Sequence, residues 1–244
     1  MLTKSIKKQI FISISVVVVI LTTEARANLY GFKAISNNSG VSGQMAQQLS
    51  LEVTPYGINQ VLFDFKNNIS PHSVGSPIDG IMGGLFFEDG ALLGIASIIE
   101  DPFNVTNPVD FETPLNPASK NFPEGGTLSP PFQTTAHFWS TANGSIINGV
   151  NPGEQVGIVF DLKGSNTFVD VITAINLGFT NPNPGGDTSL RIGVHVQNLP
   201  GYDQSGNWTQ TDGSDSFILT PVPGAVLLGI LGMGVAGLKL RRYA

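Results

Sequence analysis

Apolar and polar residues alternate over two neighbouring stretches near the first third of the chain. In Gln48-Leu49-Ser50-Leu51-Glu52-Val53-Thr54, the residues Leu49, Leu51 and Val53 fall on one face. In Val61-Leu62-Phe63-Asp64-Phe65, the residues Val61, Phe63 and Phe65 do the same. A period of two is the mark of a half-buried β-strand. Pro55-Tyr56-Gly57 between them is a turn signal. Further strands are predicted at 84–88, 92–99, 133–140, 155–162, 190–197 and 216–219. Many short strands joined by turns predict an all-β fold, an antiparallel β-sandwich or jelly-roll-like ectodomain. One short helix is predicted after Asn166, an N-cap residue type, because Phe168, Val171, Ile172 and Ile175 recur at helical spacing. From 101 to 131 the chain has seven prolines and no clean period, which predicts an extended segment laid across the sandwich and anchored by Phe103, Phe111 and Phe122.

Two stretches break this pattern by being apolar without alternation. Residues 10–21 form an apolar-to-small run that follows Lys4, Lys7 and Lys8 and precedes Ala25-Arg26-Ala27. A positive start, a short apolar run and small residues at Ala25 and Ala27 make up a cleavable secretory signal, with Asn28 the expected mature N-terminus. The run is too short to span a ~30 Å hydrocarbon core at ~1.5 Å per residue, which argues against an uncleaved anchor. Near the C-terminus, 222–238 carries no charge, follows Pro221 and Pro223, and is closed by Lys239, Arg241 and Arg242. That predicts a transmembrane helix with a basic stop, and basic residues that stay cytoplasmic place the preceding chain outside. The predicted layout is a signal peptide at 1–27, a β-sandwich ectodomain at 28–219 and a membrane tail at 220–244.

Composition sharpens this layout. Between 28 and 220 the chain has five Lys and Arg against seventeen Asp and Glu, a formal net charge of −12. Such a body repels nucleic acid and anionic head groups, so nucleic acid is excluded as a partner. The absence of cysteine rules out disulfides and thiolate chemistry.

The tail resembles a known family. Pro221-Val222-Pro223-Gly224, the glycine-rich apolar run and the cluster Lys239, Arg241, Arg242 are similar to the PEP-CTERM sorting signal of Gram-negative bacteria. The two prolines and the basic end match the family pattern, whereas Val222 stands where that family usually has glutamate. The resemblance implies export through the Sec translocon and signal peptidase, transient anchoring in the inner membrane, and recognition of the tail by an exosortase-like membrane enzyme. It also implies a final place at the cell surface or in an extracellular, exopolysaccharide-rich biofilm matrix. The segments 59–67 and 191–197 resemble stretches of extracellular domains that carry such tails, domains for which no activity is implied.

Candidate chemistry within the body is sparse. His72, His137 and His195 lack the spacing of a zinc site, and there is no nucleophile elbow, P-loop or dinucleotide-binding fingerprint. His137 and His195 read as sheet-face residues. The acidic pairs Glu88-Asp89, Glu100-Asp101 and Asp212/Asp215 have the oxygen chemistry calcium prefers but not its loop spacing, and read as solvated turn acids. Trp208 and Tyr202 lie in or beside Gly/Asn/Ser-rich stretches and are candidate glycan contacts. The expectation is therefore a non-catalytic envelope protein without a cofactor. A carbohydrate-binding module or adhesin with a specific glycan is the first alternative, and a secreted hydrolase working through paired carboxylates is the second.

Overall fold

The computed structural model describes residues 27–69, 78–89, 92–100, 108–112, 120–140, 145–182, 188–202 and 208–221. Among these residues ten strands alternate with two helices in the order β1 (Asn28–Ala34), α1 (Ser42–Gln48), β2 (Leu49–Tyr56), β3 (Gln60–Asn67), β4 (Ile81–Glu88) and β5 (Leu93–Glu100). There follow β6 (Phe111–Glu112), β7 (Ala136–Ser140), β8 (Gln155–Leu162), α2 (Phe168–Thr180), β9 (Arg191–Tyr202) and β10 (Trp208–Pro221). The fold is antiparallel all-β, as the alternation predicts.

The expected pair of packed sheets is instead one ten-stranded sheet, ordered β5-β8-β3-β2-β1-β10-β9-β4-β7-β6. It curls strongly. Phe63 of β3 and Phe87 of β4 have four strands between them in that order, yet their rings meet edge to face at 5.5 Å. Phe160 of β8 and Phe138 of β7, with six strands between, stand 5.8 Å apart. The two wings of one twisted sheet thus face each other as two sheets would, forming a half-barrel. No ladder joins the outer strands β5 and β6 among the described residues.

The concave face holds the main core. Leu49, Leu51 and Val53 of β2, Val61, Phe63 and Phe65 of β3, and Ile192, Val194 and Val196 of β9 are all buried in it. The alternating rows are therefore the inward rows. The helix α2 closes this face, contributing Val171, Ala174 and Ile175. Its N-cap is Thr167, one residue beyond the expected Asn166. Thr167 N–H and its hydroxyl both donate to Asp170 at 2.7 Å, completing a capping box. The shorter α1, which the pattern does not predict, packs on β1 and β2 and buries Met45.

The β2–β3 hairpin turns at Gly57-Ile58-Asn59, two residues later than the turn signal suggests, with Pro55 and Tyr56 still in the ladder. Gly57 (φ +53°) and Asn59 (φ 64°) both take left-handed backbone, which glycine and asparagine tolerate best. At the other end of the half-barrel the polar side chains of Gln48 and Asn67 tie four segments together. Gln48 donates to Asn67 at 2.7 Å and accepts from Ile78 N–H at 2.9 Å, while Asn67 donates to the carbonyls of Gly80 and Val150.

Candidate functional site

The residues of the two predicted targeting signals fall at one place in the fold, so far as they are described. Asn28 opens β1 and pairs with Val53 of β2. Pro221 ends β10 and pairs with Tyr30 of β1. Adjacent strands lie about 4.8 Å apart, so the start of β1 and the end of β10 leave the sheet side by side. Ala25, Val222, Pro223, Gly224, Lys239, Arg241 and Arg242 lie outside the described residues, as does the predicted apolar helix at 222–238. Among the described residues no helix is long and apolar enough to cross a membrane.

The convex face carries the densest chemistry. Gly84 of β4 is opposite Trp139 on β7 and opposite His195 on β9. With no side chain at position 84, the Trp139 and His195 rings stack over it, centroids 5.8 Å apart and tilted by 19°. A Cβ at Gly84 would sit 2.1 Å from the indole, so only glycine permits the stack. The Lys120 ammonium caps the indole at 3.5 Å from the ring centroid, a cation–π contact. Burial, with Lys120 beside it, pushes the His195 pKa down to about 4 against the opposing pull of Asp215. The imidazole is therefore neutral at pH 7, and its buried Nδ1 has no hydrogen-bond partner among the described residues. Burial also lowers the Lys120 pKa, with Glu112 acting the other way.

Beside this stack, residues 120–135 lie across the convex face as a strap. Phe122 and Phe132 join Phe86 of β4 in a second, smaller core. Gly193 of β9 leaves room for it, because a Cβ there would stand 2.6 Å from the Phe122 ring. One buried ion pair fastens the strap. Arg191 donates to Glu88 through Nε at 2.7 Å and Nη2 at 2.6 Å, and to the carbonyls of Pro130 and Pro131 at 2.8 and 2.7 Å. Glu88 also accepts from the Gln133 backbone N–H, and the guanidinium lies over the Phe132 ring. The expected prolyl segment thus does pack on the sheet through Phe122, but Phe111 belongs to β6 and the main core, and Phe103 lies outside the described residues.

Three of the acids read as solvated turn residues, Glu88, Asp89 and Asp215, are buried instead. Glu88 and Asp89 are both buried, one held by Arg191 and the other accepting from the N–H groups of Leu92 and Leu93. Asp215 is buried too, and accepts from Ser36 Oγ at 2.8 Å, from the N–H groups of Asn38 and Ser39, and from Ser39 Oγ. It fastens the segment after β1 to β10. Glu100, by contrast, is exposed as expected, although partial desolvation together with Asp110 raises its pKa, and Asp101 lies outside the described residues. Among the described residues no three His, Cys, Asp or Glu side chains converge as a metal site would require.

The remaining candidates are backbone placements. Trp208 and Tyr202 are directly opposed in the β9–β10 ladder, at the end of β10 farthest from Pro221. A shallow, open depression of about 250 Å³ lies between the ends of β3 and β8, lined by residues that include Lys66, Asn68 and Glu154. No signal in the sequence joined Lys120, Trp139 and His195, because the unit that assembles them is the gap at Gly84. The Arg191–Glu88 pair had a weak signal, Arg191 being one of only five basic residues in the body. The chain matches no protein-family profile, no curated protein and no solved structure.

Proposed function

We propose that this chain is an exported, non-catalytic cell-surface or matrix protein, held at the membrane by its C-terminal tail and sorted by an exosortase-type enzyme. The observation that carries the reading is the order of signals around the fold. A charged start and short apolar run precede Ala25 and Ala27, the strand β1 begins at Asn28, and β10 ends at Pro221, where the second apolar run begins. The folded body therefore occupies the interval between two targeting segments, with little chain left over on either side. The Sec translocon, signal peptidase and an exosortase-like enzyme are the implied partners, and an acidic, polar body suits residence in hydrated exopolysaccharide. The use of its ionisable groups favours a structural role: Glu88, Asp89 and Asp215 are consumed as internal fasteners, and His195 is stacked on Trp139, whose ring Lys120 caps.

Deleting 222–244 tests the anchoring directly. In a Gram-negative host the truncated chain should leave the membrane fraction and be recovered as soluble exported protein, while the full chain sediments with membranes. A truncated chain that still sediments with membranes would contradict the reading. A glycan-binding role is the second reading, favoured by the opposition of Trp208 and Tyr202 at the end of the sheet remote from Pro221. The strand β10 runs 14 residues, which at ~3.3 Å per residue sets this pair about 40 Å from the tail. Selective retention on one glycan, lost in Trp208→Ala, would favour that reading over a general matrix role.

A further inference from the structure

We propose that the end of the half-barrel carrying the β2–β3 hairpin is a bilayer-contact face, its occupant the lipid surface that anchors the tail. The inference rests on the membrane-tail reading above and adds which side of the folded body meets the lipid.

Three observations carry it. The first is the lack of a spacer. Pro221 is still paired with Tyr30, and the uncharged run begins at Val222, the next residue. One residue spans at most about 3.6 Å, so an anchored run keeps this end of the sheet at the membrane surface.

The second is the shape of that end. Asn28 pairs with Val53, whereas the β2–β3 ladder continues three residues further, to Tyr56 opposite Gln60. At ~3.3 Å per residue the hairpin reaches about 10 Å past the start of β1. Its apex is Ile58, 96% exposed and held there by the left-handed residues Gly57 and Asn59 on either side. An isoleucine at the tip of a fixed turn gains nothing in water. Tyr56 and Leu29 are also exposed beside it, as is Val169 in the first turn of α2, which follows the end of β8 at this same end.

The third is charge. The body is strongly acidic, yet 54–60 carries no charge, and α2 has a single acid, Asp170, already engaged in its capping box. Asp161 accepts from Gln60 here, and Lys163 adds a positive charge. Asp161, Asp170 and Lys163 sum to −1, against −12 for the whole of 28–220, so the repulsion that the hairpin and α2 exert on a lipid surface is small. Because the tail supplies the tether, a small apolar contact at high effective concentration is enough to set orientation.

The chain has no cysteine, which makes single-site labelling direct. An environment-sensitive fluorophore is placed at Ile58→Cys, and at Ile147→Cys, an exposed site at the opposite end, in protein purified from membranes. Each is reconstituted into phosphatidylcholine vesicles, and flotation is measured first. The expected result is that both float, that Ile58 emission shifts to the blue and is quenched by nitroxides on the acyl chains, and that Ile147 emission does neither. Vesicle-bound protein with water-like emission at Ile58 overturns the contact face and leaves the tail reading intact. Failure to float overturns the tail reading itself, and the contact face with it. A blue shift that grows with protein concentration at fixed lipid reports a second copy at the hairpin and also overturns the proposal.

Discussion

The two faces of the sheet are built by different means. The concave face is a continuous apolar core in which rows from most strands meet, with Phe87 touching the rings of Phe63, Phe65, Phe138 and Phe160. The convex face beneath the strap is covered by irregular chain, held among the described residues by the small aromatic cluster of Phe86, Phe122 and Phe132, two glycine gaps, a stack of Lys120, Trp139 and His195, and one buried ion pair. Loss of any single inner contact is shared among many neighbours. Loss of Arg191 removes at once the partner of a buried carboxylate and two carbonyl contacts of the strap. Broad apolar burial gives this fold its stability, while point-to-point polar contacts decide where its irregular segment lies.

Four perturbations probe that division. The largest effect belongs to the concave face: Phe87→Ala should cost about 4 kcal/mol, read as an earlier midpoint in urea unfolding followed by circular dichroism. A cost below about 1 kcal/mol would mean that the wings of the sheet are not packed against each other as described. Next, Arg191→Met strands Glu88 without its partner and should cost about 3 kcal/mol. Its distinguishing mark is local, since proteases should cut within 120–135 while the rest of the chain stays resistant. Adding Glu88→Leu to Arg191→Met should restore much of the loss, because removing both charges removes the desolvation penalty.

The third perturbation is pH. The folded-state pKa of His195 lies near 4, below its ordinary 6.5, so the native state takes up a proton less readily than the unfolded chain. Its contribution is whole above pH 6.5 and is lost as pH falls from there towards 4, by roughly 2 kcal/mol after allowance for its partial exposure. The stability difference between wild type and His195→Gln should therefore shrink over that window, as measured by urea unfolding at a series of pH values. A difference independent of pH would place the imidazole in water. The smallest effect is on the surface. Lys66 bridges Glu52 at 2.6 Å and Asp64 at 3.2 Å, with all three partly exposed. Lys66→Met should change stability by less than about 1 kcal/mol, and a larger loss would show a surface pair acting as a fastener.

The same division explains how much was legible in the sequence. Leu49, Leu51 and Val53, with Val61, Phe63 and Phe65, announce their strands because one buried face imposes a period of two. That period says nothing about what lies opposite, so a curled single sheet and a two-sheet sandwich write the same pattern. Strand β4, Ile-Met-Gly-Gly-Leu-Phe-Phe-Glu, loses alternation because both its faces are buried, one by the core and one by the strap. The helix α1 is seven residues long, too short to display a period, and β1 lies directly against the predicted cleavage point with no turn to mark it. The convex stack was hidden for a geometric reason. Lys120, Trp139 and His195 are brought together by an absent side chain at Gly84, and a gap between neighbouring strands has no signature along one of them. Glu88 and Asp215 were misread because acids beside Gly and Ser look like surface turns unless their partners, Arg191 and Ser36, are known.

The central claim is that a folded body lies between two addresses that the cell reads. Intact mass of the native protein, taken separately from membrane and extracellular fractions, tests it most directly. The account predicts that every mature species begins at Asn28 and that the extracellular species ends between 220 and 224, at the close of β10. A mature species that keeps residues 1–27, or an extracellular species that still ends at Ala244, would contradict it.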